Sequence, residues 1–203
     1  MHEELLPLFP LAVVLLPGTR LPLHIFEERY KEMIGMAVSE GSEFGVVLAS
    51  GEGLLQVGCT AVVEDIVRQY PDGRMDIVAL GQRRFSILSL DQEKSYLRAS
   101  VSFFDDEGSV TGAALREKAM EACEAFGAKR PDDPDDPQLS FQLADAVEDL
   151  PFRQRLLALR TEAERLRELI EFAPGYRESR ARAARLREVA PKNGHGKIPV
   201  KEG

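Results

Sequence analysis

The chain has few cysteines, few histidines and no long apolar run, and each scarcity closes a class of function. Cys59 and Cys123 are the two cysteines in 203 residues, and neither has a second cysteine nearby. That leaves no disulfide framework and argues against a zinc site. Two reduced, buried thiols in a cytoplasmic protein is the simplest reading. Of the three histidines, His2 and His195 lie near the ends, so they join His24 in a metal site only if the termini fold back. No stretch of about 18 uninterrupted apolar residues occurs, so no membrane span is expected. Residues 5–16 are apolar enough for the core of a secretion signal. Glu3 and Glu4 stand where lysines belong, however, and Pro7 and Pro10 break the run.

What is present describes a soluble globular chain, 44% apolar and 30% charged, long enough for one domain or two small ones. Charge is uneven. Residues 1–107 carry 9 Lys+Arg against 17 Asp+Glu, and residues 108–152 carry 4 against 10. Residues 153–203 reverse this with 13 against 7. An acidic first part is a poor nucleic-acid surface, because phosphate binding needs a positive field. The basic last part could bind nucleic acid or pair with the acidic middle.

The most informative stretch is residues 21–30, LPLHIFEERY, preceded by LPLFPLAVVLLPG. Pro7, Pro10, Pro17 and Pro22 forbid one long apolar helix. The spelling predicts a strand, a Pro17-Gly18 turn and a second extended piece. From Ile25 onward, Phe26, Tyr30, Met33, Ile34 and Val38 take helical spacing. Short strands follow at 44–49 and 58–67, and Asp72-Gly73 is a hairpin-turn dipeptide before a strand at 75–80. Gly81 reads as a break, followed by strands at 85–90 and 96–104. Leu97, Ala99, Val101 and Phe103 share one face of the last. Many short strands with glycine turns and one early helix predict an α+β fold built on a small, mostly antiparallel, partly closed β-barrel.

The barrel part spans 1–107. A helical part, 108–190, follows with Leu115, Ala119, Ala122, Cys123 and Phe126 on one face, then PDDPDDP at 131–137 as a stiff, charged linker. Leu139, Leu143, Val147 and Leu150 give another helix. Phe152, Leu156, Leu159, Ala163, Leu166, Ile170 and Ala173 form a heptad-like seam. Pro174-Gly175 ends it, and an Arg-rich helix runs from about 177 to 189. If its neighbours leave the seam open, it becomes a homo-oligomer surface. The tail, 191–203, reads as disordered.

LPLFPL at 6–11, PG at 17–18, LPLHIFEERY at 21–30, FGVVL at 44–48, VG at 57–58, DGR at 72–74 and GQRRF at 81–85, in that order, resemble the Lon N-terminal, substrate-binding domain. The resemblance covers residues 1–107 strongly and the helices loosely. Where the family usually spells Pro-Arg-Tyr after IFE, this chain has Glu28. The resemblance implies a PUA-like pseudo-barrel followed by a helical bundle. It also implies a non-catalytic module that binds unfolded or damaged proteins and peptides, as an adaptor or holdase with a separate protease as partner.

No catalytic motif accompanies it. A phosphate-binding P-loop needs glycine five positions before Gly196-Lys197, where Pro191 stands, and Ile198 occupies the Ser/Thr position. GEGLLQVG at 51–58 misses the dinucleotide pattern, and no GxSxG occurs. No cofactor or metal is expected. His24, Glu27 and Cys59 are the residues an unrecognised enzyme would use, but a structural histidine bonded to backbone is the stronger reading of His24. Glu27, Arg29 and Arg84 are expected to lock the early helix to the barrel. The candidate peptide contacts are Phe26, Tyr30, Met33, Tyr70 and Met75. The alternative, an RNA-binding PUA-like protein, would use Arg180, Arg182, Arg185 and Arg187.

Overall fold

The computed structural model describes residues 5–51, 53–108 and 111–189, with side chains through Arg185. Its elements are β1 (Leu6–Leu11), β2 (Arg20–Ile25), α1 (Glu28–Glu40), β3 (Phe44–Ser50), β4 (Gly53–Gln69), β5 (Met75–Asp91) and β6 (Arg98–Phe104). Helices α2 (Ala113–Glu121), α3 (Cys123–Phe126), α4 (Leu139–Asp145), α5 (Leu150–Ala158) and α6 (Glu162–Val189) follow. The tail at 191–203, with His195, and His2 lie outside the described residues.

Five strands close into a ring. β1 pairs in parallel with β3, and antiparallel pairings lead from β3 to β4, β5 and β6. β6 returns to the start of β1, where Leu6 faces Ala99 and Pro7 faces Arg98. β2 stands outside the ring, paired with the first half of β5. A straight 17-residue strand would extend about 55 Å. Register shifts between Cys59 and Ala61, Val63 and Asp65, and Ile66 and Arg68 bend the β4–β5 hairpin instead. The barrel interior holds Leu8, Val47, Phe85 and Ala99. Phe85 fits because two neighbours lack side chains: a Cβ at Gly45 or Gly58 would fall 2.7 or 2.6 Å from its Cζ.

The expected break at Gly81 is absent, and β5 runs straight through it. A Cβ at Gly81 would come 2.2 Å from the Leu16 carbonyl oxygen, so the glycine marks a crossing chain, not an interruption. Gly18 N–H donates to the Gly81 carbonyl at 3.0 Å, and Gly81 N–H donates to the Thr19 carbonyl at 2.9 Å.

A second, larger core lies outside the ring and runs without a gap from the strands to the helices. It joins Phe9, Phe44, Val46 and Cys59 to Tyr30, Met33 and Ile34 of α1, and to Phe126, Leu143, Phe152, Leu156 and Leu166. Phe152 stacks on Phe172 with centroids 3.8 Å apart. Most of the seam is therefore consumed inside the chain, with Phe152, Leu156, Ala163, Leu166 and Ala173 buried. The seam is also not one helix. Leu159 turns to extended backbone (φ −66°, ψ 145°), and Thr161 caps the next helix, receiving Glu164 N–H at 3.2 Å. Nor does Pro174 end that helix, which continues to Val189. Proline removes only one helical hydrogen bond, and Pro174 lies on the exposed side of α6.

A buried ionic network ties barrel to helices. Arg84, expected near Glu27, instead points to the junction, donating to the carbonyls of Leu157 (3.2 Å) and Leu159 (2.5 Å) and to Asp106 Oδ1 (2.5 Å). Arg165, fully buried, donates to the same carboxylate through both terminal nitrogens and to Glu162 at 2.8 Å. Ser140 accepts from Arg165 Nε at 2.7 Å and donates to Glu162 at 2.5 Å. The PDDPDDP segment is anchored separately, through Arg116 of α2 and through Gln138. Arg116 donates to the carbonyls of Pro134 and Asp136, and Asp136 accepts from Gln138 N–H at 2.7 Å.

Candidate functional site

β2 alternates cleanly: Leu21, Leu23 and Ile25 turn inward, while Arg20, Pro22 and His24 face out. Register puts His24 beside Asp76, and Asp76 beside Arg68 of β4. His24 Nδ1 lies 2.5 Å from Asp76 Oδ1, so its partner is a carboxylate and not the expected backbone group. Tyr70 donates its hydroxyl to the other oxygen at 2.9 Å. The hydrogen bond from His24, then that from Tyr70, hold the Asp76 carboxyl below its ordinary range.

Aromatic rings gather on this pair. Phe26 stacks on the His24 ring at 5.8 Å, and Tyr70 meets it edge-on at 6.0 Å. The guanidinium groups of Arg68 and Arg74 stand 4.6 and 4.9 Å from the Tyr70 ring centre. Phe26 is 59% exposed, because α1 begins only at Glu28 and leaves it in the extended approach. Phe26, His24 and Tyr70 together make a contiguous aromatic patch at the surface, the kind of feature that marks a contact site.

Phe26 and His24 line one side of a cleft of 220 Å³ between β1 and β2, whose other walls are Phe9, Leu11, Leu23, Ile25 and Tyr30. Phe9 and Tyr30 pack at 4.2 Å to form part of its wall. Glu27 and Arg29 close the rim as an ion pair of 2.7 Å.

The structure brings together Phe26 and Tyr70 of the five expected contacts, through His24. The other three turn inward. Met33 is 1% exposed and lies wholly within the core, since α1 directs this face at the sheet. Tyr30 serves as cleft wall, and Met75 is buried where β5 begins beneath the Asp76 row. Helical or strand spacing names a face; which face is covered depends on what packs there.

A larger cleft of 640 Å³ escaped sequence reasoning. Leu6, Met36, Arg83, Tyr96, Val101 and Phe103 line it. These residues come from five separate stretches, so no local pattern announces them. The one available signal is Phe103, which continues the apolar face of β6 but emerges 44% exposed beneath the Arg83 guanidinium at 3.9 Å.

The enzyme constellation does not assemble. Cys59 is fully buried, and burial pushes its thiol up to about 12, while His24 is committed to Asp76. Among the described residues, no group of three His, Cys, Asp or Glu is placed to hold a metal ion. No helix among them is long and apolar enough to cross a membrane. Arg180, Arg182 and Arg185 are exposed on α6, and Arg180 donates to the Ala125 carbonyl at 3.4 Å. The Arg187 side chain lies outside the described residues.

Comparison with known proteins agrees with the ring and its helices. The Lon protease of Parabacteroides distasonis is 32% identical over 111 residues, covering 51% of this chain and 14% of that protein. The Lon protease of Flavobacterium johnsoniae is 28% identical over 118 residues, with coverages of 52% and 14%. The chain thus spans about one seventh of the length of these relatives. Among solved structures, a Lon N-terminal domain protein from Xanthomonas campestris superposes with a TM-score of 0.70 at 26% identity, covering 83% of this chain and 98% of that one. The N-terminal domain of a Mycobacterium avium complex Lon protease shares the fold, with a TM-score of 0.65 at 18% identity and coverages of 84% and 98%. The family model for the substrate-binding domain of the ATP-dependent protease La (LON) matches residues 5–173, and the chain belongs to that family.

Proposed function

We propose that this chain recognises unfolded or extended segments of other polypeptides without chemically altering them. The observation that carries the reading is the exposed Phe26, stacked on His24 beside an apolar cleft, in a chain of the substrate-binding family. Aromatic side chains supply large contact area at little entropic cost, which is why they anchor polypeptide interfaces. Phe26 and Tyr70 are the proposed contacts, with Tyr30 and Met75 shaping the surface from below. The module would serve as an adaptor that hands clients to a separate protease, or as a holdase that keeps them soluble, in the cytoplasm. The RNA-binding alternative draws no support from the family, and the aromatic cluster lies on the acidic part of the chain.

The test is binding of labelled apolar peptides and of an unfolded client protein to the intact chain, with an RNA pool in parallel. Peptide and client binding without RNA binding is the expected result. Binding of RNA alone would overturn the reading. Suppression of client aggregation at near-equal ratios separates a holdase from an adaptor, which would instead speed client degradation by the partner protease.

A further inference from the structure

We infer that the client segment binds as an added β-strand along the outer edge of β2, and that the preferred client is an extended, uncharged stretch of about six residues with apolar side chains at alternate positions. This rests on the polypeptide-recognition reading above and specifies its substrate class.

The edge is open. β2 pairs with β5 on one side, and among the described residues its backbone has no partner on the other. Which groups face out follows from alternation. Gly81 N–H donates to the Thr19 carbonyl, so Thr19 directs its backbone to β5. Leu21, Leu23 and Ile25 then do the same, and Arg20, Pro22 and His24 turn theirs away. Pro22 fits that assignment, since its missing N–H falls on the unpaired side, the place proline tolerates in a sheet. The free edge therefore offers three carbonyls and the N–H groups of Arg20 and His24. Unpaired strand edges of this kind act as templates for another chain.

The surroundings define the occupant. Each polar side chain named along the edge already has a partner: Arg20 with Glu64 at 2.6 Å, the His24 ring with the Asp76 carboxylate at 2.5 Å, and Arg29 with Glu27 at 2.7 Å. An incoming charge would have to displace one of these pairs, so the complementary segment is neutral. The 220 Å³ cleft beside the edge takes one apolar side chain, against Phe9, Leu11, Leu23 and Ile25. Neighbouring residues of an added strand point to opposite faces. While one residue enters the cleft, whose mouth His24 and Phe26 also line, the next points to the opposite face, so the apolar positions of the client alternate. β2 is six residues long, about 20 Å, which sets the length of segment it can pair.

The experiment uses the intact chain and a labelled, end-capped decapeptide alternating valine with threonine. Two backbone N-methylated forms carry methyl groups on the odd or the even residues, and an isomer of the same composition has helical spacing. Anisotropy titration reads affinity, and sedimentation velocity reads the size of the chain with and without peptide. The expected result is that one N-methylated form binds within about twofold of the parent while the other loses at least about tenfold, the loss of two or three backbone hydrogen bonds. The helical isomer binds weakly. Equal affinity of both N-methylated forms, or binding of an unfolded client but not of the alternating peptide, would overturn strand addition and leave polypeptide recognition standing. A dimer of the chain that the peptide dissociates would make a second copy the occupant and overturn the assignment to a client. Failure of peptide, isomer and unfolded client alike would overturn recognition itself.

Discussion

Phe85 occupies the inside of the barrel because Gly45 and Gly58 leave it room. Gly58→Ala would place a methyl group 2.6 Å from the ring, next to the Val46 carbonyl at 2.7 Å, where neither neighbour can retreat. The expected cost is about 1–3 kcal/mol, read as a lower denaturation midpoint at unchanged m-value. Cys59, in the same wall, is fully buried with its thiol raised to about 12, and burial also raises that of Cys123. Both should ignore a thiol reagent at neutral pH in the native protein and react once it is unfolded. Phe26 is the opposite case. Phe26→Ala should leave the melting temperature unchanged yet weaken peptide binding by about 1–2 kcal/mol, measured by titration. The residue string marked Phe26 and Tyr70 as candidates, along with Met33 and Met75. It could not separate exposed from buried, because the cover over Met33 is supplied by strands that come later in the chain.

At the scale of elements, the α5–α6 joint rests on an N-cap, with Thr161 Oγ1 receiving Glu164 N–H at 3.2 Å and donating to the Glu164 carboxylate at 2.9 Å. Thr161→Ala should lower stability by about 1 kcal/mol, checked by chemical denaturation. The spelling TEAE carried this signal in the sequence. It was masked because the apolar steps of three and four keep phase across the joint, so the seam reads as a single helix. Pro174 misled in the other direction, since a proline on an exposed face kinks a helix more readily than it stops one. The strands were more legible. The prolines around residues 17–22 marked β2 as extended, and the Asp72-Gly73 turn put the β4–β5 hairpin in place. The run of β5 through Gly81 was not legible, because the reason for that glycine is a chain segment more than 60 positions earlier.

For the whole molecule, the junction of barrel and helices depends on charges that the sequence shows only as scattered arginines and acids. Arg165 is fully buried, held by Asp106, Glu162 and Ser140. Arg165→Ala leaves Glu162 buried without its cation and should cost about 3–5 kcal/mol, lowering the melting temperature by roughly 10 °C. Burial alone would raise the Asp106 carboxyl, but the hydrogen bond and charge of Arg165, followed by Arg84, hold it below its ordinary range. A carboxylate depressed in the folded state adds stability that is complete above its unfolded value of about 3.9 and is lost as pH falls through the folded value. Asp106→Asn should therefore destabilise the protein at neutral pH and flatten the acid limb below about pH 4, as followed by thermal melts across that range.

The ring closes where β6 meets the first residues of β1. During synthesis β1 leaves the ribosome first and must wait for some ninety further residues before its last neighbour exists. Until then the apolar sides of β1 and β3 have no lid. Formation of the barrel is consequently a late event, governed by contacts distant along the chain and slow by the standards of helical proteins. A nascent chain stalled just short of Arg98 would be a ready client for chaperones, although the finished domain is itself proposed to hold unfolded chains.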